Sequence, residues 1–409
     1  MKIGTLAILT IGVALLLALP WLVSDSMLNA AVQMLIAALF AMAFGLLCGR
    51  AGMLSFGHAA YFGVGAFAAV HAMNAFNGEG LLPTPLLPLV GAGTGMISGL
   101  IAGYFSTKRT GVYFAMITLA LAELLHALAP HLKAVFGGEA GISSFRMPAW
   151  GFTFGSLSEV YYLTLIWTLG CILLLYLFSK TPLGRLALGL RENAHRMRFL
   201  GYNTHALGTL IFAVSAMFAG IAGALQSLNL EAANYVVLES HISTAVVLNS
   251  FIGGVRVFFG PAIGGALMTF FGYITSDLTR VWLLYQGIIF VLVMMFMPRG
   301  IVGEVIERFR HSSLRGLAQT AGTMALRVAS LAIAAFGGVF MIEFIQRFLS
   351  SDYRATAGNG NWPDIALFSY VWSPVSVLPW AFGIGLFAIG IALTMIVNRR
   401  AAAAQEASA

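Results

Sequence analysis

The sequence predicts an all-α protein that crosses a membrane many times. Of its 409 residues, 59% are hydrophobic and only 9% are charged, and the mean hydropathy is +0.90. This composition is typical of helices in lipid and argues against a string of soluble domains. Apolar runs of about 20 residues, the length that a helix needs to cross a bilayer, recur along the chain.

Twelve apolar segments are candidate spans. We expect about ten of them to form a core with interrupted or re-entrant segments, and about two more to follow near the C-terminus. The shortest, 242–256, is the strongest candidate for a re-entrant segment. In chain order the segments are 5–23, 28–47, 56–73, 86–105, 111–130, 159–179, 206–228, 242–256, 261–278, 281–298, 327–348 and 376–397.

The positive charges predict the side of the membrane that each loop faces. If the N-terminus is cytoplasmic and every segment crosses, the Lys and Arg residues outside are only Lys133, Arg146, Arg280, Arg347 and Arg354. The other basic residues then lie inside, as the positive-inside rule requires, and both termini are cytoplasmic. Lys2 precedes an apolar stretch that ends near Pro20, as in a secretory signal, so cleavage of residues 1–24 stays open.

The chain lacks the residue patterns of an enzyme. GxxxxGK[ST], HExxH and GxSxG are all absent, and neither Cys48 nor Cys171 has histidine partners at metal-binding spacing. The net charge of +7 is scattered between apolar runs rather than gathered in one aromatic-lined stripe, which argues against nucleic acid. We therefore expect no catalysis, no metal and no cofactor on this chain; if ATP is used, another chain hydrolyses it.

A glycine stripe predicts close helix packing. In "LVGAGTGMISGLIAGYF", glycine recurs every four residues and so falls on one helix face, where another backbone can approach. The stripe consists of Gly91, Gly95, Gly99 and Gly103.

Two other glycine-rich stretches interrupt apolar runs: "CGRAGMLSFGHAAYFGVGAF" at 48–67 and "FIGGVRVFFGPAIGGAL" at 251–267. Broken backbone at membrane depth is tolerated where it is buried in protein or lines a watery cavity, so these breaks suggest a pathway. The alternative is a tight turn at the surface, with Arg50 and Arg256 among cytoplasmic headgroups. The glycines assigned to the breaks are Gly57, Gly253, Gly254 and Gly260.

Few ionisable residues lie within the predicted spans. Glu123 and His126 are three residues apart and share a helix face, which is thin support for ion coupling. A cation-coupled carrier would show several such groups. His58, at a predicted helix start, is more often a packed, hydrogen-bonded histidine than a ligand.

The segment "TPLGRLALGLRENAHRMRFLGYNTHALG", residues 181–208, is basic and amphipathic. Its pattern predicts one helix that begins at Pro182 and stops near Gly201. Such a helix either lies on anionic lipid or fits a groove on a cytoplasmic partner. The pair Glu192 and Asn193 within the basic run favours a protein partner.

Four stretches in order carry a resemblance: "GRAGMLSFGHAAYFGVGAF", "TGVYFAMITLALAE…GGEAGI", "TPLGRLALGLRENAHRMRFLGYN" and "GGVRVFFGPAIGGAL". Through them the chain resembles permease subunits of ABC importers of the branched-chain amino acid uptake family, over residues 28–303. The resemblance implies that residues 180–205 are the cytoplasmic loop that couples to the ATP-hydrolysing subunit. The coupling residues it implies are Arg191, Glu192, Asn193, Arg196, Leu200 and Gly201.

The resemblance also implies an assembly in a bacterial inner membrane. It comprises a second permease, identical or different, two cytoplasmic ATPase subunits that bind ATP and Mg, and a periplasmic solute-binding protein. This chain would then supply a gated path, for which Ser55, His58 and Glu123 are our candidate polar groups. The competing function is a secondary carrier or channel that works without an ATPase.

The domain organisation departs from the family after residue 303. Residues 1–303 form the predicted permease domain, and 304–326 form a cytoplasmic amphipathic segment. Residues 327–409 form an atypical extension with two further spans and an outer loop at 349–375. The solute stays open between amino acids, urea or short amides, and organic or aromatic acids.

Overall fold

The computed structural model describes residues 3–76, 82–311, 314–357, 362–368 and 370–406, which are mostly helical. Lys2 and part of the predicted outer loop lie outside the described residues. The longer helices are α1 (Ile3–Leu22), α2 (Asp25–Gly45), α3 (His58–Ala75), α4 (Pro88–Ser106), α5 (Val112–Leu128), α7 (Leu157–Phe178), α8 (Pro182–Phe199), α9 (Thr204–Leu230), α10 (Ser240–Gly253), α11 (Gly260–Leu278), α12 (Trp282–Phe296), α13 (Gly300–His311), α14 (Leu314–Leu349) and α16 (Val377–Glu406).

Short elements connect these helices. They are α6 (Lys133–Phe136), α15 (Ser351–Thr356), a π-helical turn (Leu46–Arg50), two 3₁₀ turns (Thr84–Leu86 and Tyr235–Leu238) and the strands β1 (Ile142–Ser143), β2 (Ala232–Ala233), β3 (Ile365–Leu367) and β4 (Tyr370–Trp372). The strands form two antiparallel pairs, β1 with β2 and β3 with β4.

Each of the twelve predicted segments corresponds to a helix, which confirms the all-α, multi-pass architecture. Within the described residues, seven helical stretches are long and apolar enough to cross a membrane, and the other segments form shorter or less apolar helices. The seven are Asp25–Arg50, Thr84–Ser106, Leu157–Phe178, Thr204–Leu230, Trp282–Glu307, Ala329–Leu349 and Val377–Val397.

The chain divides into two compact units. The first comprises Met1–Leu278 and Trp282–Ile306, and the second comprises Thr279–Val281 and Glu307–Ala409. The predicted cytoplasmic segment 304–326 falls in α13 and the start of α14, on either side of residues 312–313, which the structure does not describe.

Two helices form the centre of the first unit. The apolar windows of α2 and α9 are each 78% buried, compared with 17% for the stretch that contains α12. Helices α3 and α4 pack on α9, while α7 and α11 pack on α2. Between them lies one continuous apolar core with fully buried side chains such as Phe44, Tyr161 and Phe212.

The predicted glycine stripe on α4 packs against α9, as expected. All four of its glycines are buried. A Cβ atom at Gly91 would lie 2.5 Å from the carbonyl oxygen of Gly220, and one at Gly95 would lie 2.5 Å from that of Ala216. The two backbones are therefore in direct contact, which the glycines of α4 allow against Gly220 and Ala216 of α9.

A compact loop closes one end of the first unit. Strand β1 pairs with β2, and the guanidinium group of Arg146 lies 3.1 Å from the carboxylate of Glu231. Arg146 also donates to the carbonyl of Leu228 at 3.0 Å. Glu231 itself has φ +55, which ends α9 in the left-handed region. The ion pair thus fixes the end of α9 to the loop after α5.

The second unit packs α14 against α16 with an aromatic cluster at one end. Gly337 and Gly390 again place the two helix backbones in contact. Beyond them, the buried rings of Phe340 and Phe344 pack on Trp380 and on the β3–β4 hairpin.

The α4–α9 contact yields a paired test. Gly91→Ala should destabilise the protein by about 1–3 kcal/mol, because its methyl group meets the Gly220 carbonyl. Gly93→Ala, two residues along the same helix, meets nothing within 4 Å and should stabilise by roughly 0.5–1 kcal/mol through backbone entropy. Thermal unfolding of both variants in one detergent measures this, and shifts of the same sign would contradict the packing described here.

Candidate functional site

The basic segment begins with a well-capped helix. Thr181 is the N-cap of α8, and its hydroxyl accepts from the backbone N–H of Gly184 at 3.2 Å. Pro182 occupies the first turn, where its missing N–H leaves no hydrogen bond unmade. The sequence prediction of a helix start at Pro182 is confirmed.

The helix covers the predicted residues, Pro182–Phe199, but it is not continuous. Asn193 has φ −160 and ψ 96, so α8 consists of two helical pieces that meet at this residue. The Asn193 side-chain oxygen accepts from the backbone N–H of Arg196 at 2.9 Å and caps the second piece. Asparagine here competes with the helix by bonding the backbone locally, which overrides the amphipathic pattern on both sides.

The second piece ends in a glycine motif that leads directly into α9. Gly201, at φ +87, donates to the carbonyl of Arg198, and Tyr202 donates to that of Met197. This pair of bonds is the Schellman arrangement that favours glycine. The side chain of Asn203 then caps α9 by accepting from two backbone N–H groups. Hydrogen bonds therefore fix the connection between α8 and α9 at both helix ends.

Arg191 ties this segment to the break after α2. Its guanidinium group donates to the carbonyl of Gly49 at 2.5 Å. A Cβ atom at Gly52, which has φ +69, would lie 2.7 Å from the Cγ of Arg191. The glycines of the "CGRAG" stretch therefore make room for an arginine from the loop.

Glycine contacts join the other quoted stretches to the same region. A side chain at Gly49 would collide with the carbonyl of Val255, in the turn between α10 and α11. A side chain at Gly57 would collide with the carbonyl of Thr118 on α5. The other three stretches that carry the family resemblance therefore all meet the first, two through backbone contacts and the α8 segment through the Arg191 side chain.

The predicted break glycines all lie at helix ends. Gly57 is the N-cap of α3, Gly253 ends α10, Gly254 follows it at φ +111, and Gly260 begins α11. Gly253 and Gly260 pack against one another's backbone. These positions hold segments together at tight turns.

A small cavity beside this junction is strongly basic. It measures 260 Å³ and lies between the end of α2, α7, α8 and the α10–α11 turn. Arg50, Arg191 and Arg256 line it, and the described lining includes no Asp or Glu. The Arg50 guanidinium lies 5.9 Å from the centre of the Phe258 ring. Three like charges around one space make this end of the unit strongly positive.

The far end of α8 presents an exposed tip. Phe199 is 91% exposed and Leu200 is 65% exposed, although both are large and apolar. Glu192 and Arg196 are also exposed, and neither side chain forms a hydrogen bond or ion pair within the described residues. Sequence reasoning missed Phe199; its place beside Leu200 in "MRFLGYN" is the signal that could have identified it.

The predicted path residues are not brought together around one space. Ser55 and His58 are fully buried, whereas the side chain of Glu123 is 47% exposed. Glu123 does approach His126, with 4.0 Å between the carboxylate and the imidazole. None of the three path residues lines the cavities described in this section.

His58 is packed within the core. The Ser215 hydroxyl donates to the Ala43 carbonyl at 2.6 Å, so it accepts from the Nε2–H of His58 at 2.8 Å. The rings of Phe44, Tyr61, Phe40 and Phe212 surround the imidazole. This environment is that of a hydrogen-bonded core histidine.

A second, larger cavity contains the polar groups that sequence reasoning missed. It measures 870 Å³ and lies between α2, the end of α9, α10, α11 and α12. Within it the Gln286 amide donates to the Asn249 side-chain oxygen at 3.0 Å, and each residue is only 8% exposed. Uncharged amides inside the apolar runs "VVLNSFIGG" and "LLYQGIIF" were the overlooked signal.

Comparisons with known proteins cover most of the chain. A family model described as the permease component of the branched-chain amino acid transport system matches residues 26–298. A protein named high-affinity branched-chain amino acid transport system permease protein LivM, from Salmonella typhimurium, is 25% identical over 329 residues, which are 74% of this chain and 75% of the relative. The protein of the same name from Escherichia coli is 24% identical over 328 residues, with the same coverage. No solved structure matches the chain.

The break in α8 yields a test of the loop's construction. Asn193→Ala should remove the cap, which typically stabilises a helix by about 1 kcal/mol, so the second piece should open about five-fold more often. Limited trypsin digestion of the purified chain should then cut faster after Arg196 and Arg198. Asn193→Ser, which can still cap, should restore the original rate. Equal rates for all three proteins would show that the cap does not hold this piece.

Proposed function

This chain belongs to the branched-chain amino acid transport permease family, and we propose that it is the membrane-spanning permease of an ATP-driven importer. Its solute would be a branched-chain amino acid or a related small molecule delivered by a periplasmic binding protein. The observation that carries the proposal is the construction of α8, which Arg191 anchors near its middle and which exposes the side chains of Phe199 and Leu200 at its far end.

A coupling element needs both of these properties. Its anchored end must move the membrane helices, and its exposed end must contact a motor subunit. Arg191 supports the first role through its bond to the Gly49 carbonyl at the end of α2. Phe199, Leu200 and the unpaired carboxylate of Glu192 support the second, because exposed apolar groups ringed by charge are typical of protein interfaces.

We propose the following transmission of force. Closure of two ATPase subunits on ATP and Mg pulls α8, and the Arg191 contact transfers this movement to the π-helical turn at Leu46–Arg50. The contact of Gly49 with Val255 carries it on to the turn between α10 and α11. ATP is bound and hydrolysed in the partner subunits, and α8 of this chain transmits their movement to the membrane helices.

The proposed orientation places α8 in the cytoplasm of a bacterial cell, at the inner membrane. The three arginines of the 260 Å³ cavity then face the inner surface, in agreement with the positive-inside rule. The Arg146–Glu231 loop lies on the periplasmic side, where a solute-binding protein would dock. A second permease, identical or different, completes the membrane portion. In the competing function, a carrier or channel without an ATPase, the exposed tip of α8 has no partner.

The charge on the tip provides one test. Purification of the native complex in mild detergent should recover ATPase subunits and a second permease with the wild-type chain. Glu192→Ala combined with Asn193→Ala should reduce recovery of the ATPase, because the tip loses its carboxylate and its cap. Glu139→Ala, an exposed acid proposed to face the periplasm, should not. A wild-type chain that purifies alone and moves leucine into liposomes without ATP would establish the carrier instead.

The apolar part of the tip provides another. Phe199→Ser should lower ATPase recovery and leucine-stimulated ATP hydrolysis by about ten-fold or more, as expected for a central aromatic anchor. The unfolding temperature of the isolated chain should stay unchanged, since this ring is 91% exposed. The matched control is Phe145→Ser, which removes a 73% exposed side chain from the proposed periplasmic side and is compared in ATPase recovery alone. Equal loss in both variants would contradict a docking role for Phe199.

A further inference from the structure

We propose that the 870 Å³ cavity forms this chain's part of the solute passage, and that the Asn249–Gln286 amide pair admits solutes with no net charge. The ligand class is a small molecule with an apolar body and a polar end that both donates and accepts hydrogen bonds, such as a zwitterionic amino acid. This inference rests on the proposed function and identifies the residues that its solute would contact.

The amide pair has unused hydrogen-bonding capacity. Its one internal bond runs from the Gln286 Nε2–H to the Asn249 Oδ1. The other two amide atoms, the Asn249 nitrogen and the Gln286 oxygen, have no partner within the described residues. Neither atom is among the fully buried side-chain polar atoms that lack a hydrogen-bond partner in the described part of the chain, so both are accessible. The pair therefore presents one donor group and one acceptor group to the cavity. If both amides were rotated so that each nitrogen and oxygen changed places, one donor group and one acceptor group would still face the cavity.

Such a pair is costly to place in membrane helices. Polar side chains within spans face the interior, pair with one another and mark pathways, because an unsatisfied polar group in apolar surroundings is destabilising. Asn249 lies on α10 and Gln286 lies on α12. The hydrogen bond between them satisfies one donor group and one acceptor group of the pair and leaves the others without a partner within the described residues. A passing solute would satisfy the remaining donor and acceptor.

The rest of the lining selects by charge and by apolar character. The cavity walls are largely apolar, with Met268 and Trp282 among them. The described lining contains no Lys, Arg, Asp or Glu, and its one histidine, His241, lies 2.8 Å from the carboxylate of Glu239. A solute with net charge would lose hydration here without meeting an opposite charge, which is strongly unfavourable. A neutral amide carries no charge, and in a zwitterionic amino acid the ammonium and carboxylate groups on the same carbon partly offset one another's charge. Amino acids and short amides therefore fit this cavity, whereas organic and aromatic acids do not.

The size of the cavity agrees with this assignment. Small-molecule sites typically occupy about 300–1,000 Å³ and combine apolar walls with a few placed polar groups. The 870 Å³ cavity meets both conditions, whereas the 260 Å³ cavity is smaller and lined by three arginines. Lipid chains or side chains of a second permease are the other possible occupants, and neither would make use of the free donor and acceptor.

The first experiment measures ATP-driven uptake by the intact complex in proteoliposomes with its binding protein. The probes are leucine, acetamide, 4-methyl-2-oxopentanoate and benzoate, of which the last two are anions of the excluded class. We expect uptake of leucine or acetamide and not of the anions. Uptake of either anion at a comparable rate, or of neither neutral probe, would overturn the charge selection.

The second experiment removes the amides at nearly constant volume. Asn249→Leu and Gln286→Met should each lower uptake of the neutral probe by about three- to ten-fold, the range for losing one hydrogen bond. The control is Asn229→Leu, which breaks a similar amide pair, Asn229 with Asn29 at 3.3 Å, outside the cavity. Recovery of ATPase subunits should match wild type in all three. Equal uptake by all three variants, in complexes that retain the ATPase, would overturn this inference and leave the proposed function standing. ATP-independent uptake by the wild-type protein would instead overturn the proposed function.

A labelling measurement covers the case in which the amide variants fold poorly. Thr244→Cys lies in the lining and leaves both amides in place. In a background with Cys48 and Cys171 replaced by alanine, maleimide labelling at this position should slow when leucine and ATP are present. Labelling of the exposed control Thr153→Cys should not change. Identical labelling of Thr244→Cys with and without leucine would show that the solute does not enter this cavity.

Discussion

Contact between backbones, which glycine makes possible, is the constraint on which this structure depends. Helices in lipid gain little from burying apolar side chains against one another, so close packing must hold them together. The α4–α9 contact at Gly91 and Gly220 supplies this in the core. The same kind of contact at Gly49 and Gly57 holds the interrupted segments, where a side chain would meet a carbonyl oxygen. The interrupted segments are therefore tightly packed turns.

These backbone contacts connect α8 to the 870 Å³ cavity. Gly264 on α11 packs against the backbone carbonyl of Asn249, so the helix that carries one amide of the pair is held to its neighbour by glycine. The turn after that helix contacts Gly49, which accepts the bond from Arg191. Because packed backbones move together, a displacement of α8 reaches Asn249 through rigid contacts. The exposed tip and the cavity are thus two ends of one linked set of elements.

The sequence predicted the parts of this arrangement that depend on local periodicity. Apolar run length predicted twelve of the fourteen longer helices, the four-residue glycine repeat predicted close packing of α4 against another helix, and Pro182 predicted the start of α8. It did not predict the break at Asn193, because the amphipathic pattern continues on both sides and the competing side-chain bond is visible only in the fold. The contacts between distant glycines also depend on tertiary arrangement, which no single stretch encodes. The amide pair was missed for a different reason, since a search for charge overlooks neutral polar residues.

The absence of Lys, Arg, Asp and Glu from the described lining of the large cavity suits the proposed importer, in which a binding protein would deliver the solute. Passage requires an interior that is favourable enough to enter and weak enough to leave. A net hydrogen bond contributes only about 1 kcal/mol, whereas a buried, desolvated ion pair can bind a charged group far more tightly. One free donor and one free acceptor in apolar walls therefore ease the loss of hydration without trapping the solute. In the proposed importer, high affinity would reside in the binding protein, and ATP-driven movement of α8 would alter access to a passage that holds its solute weakly.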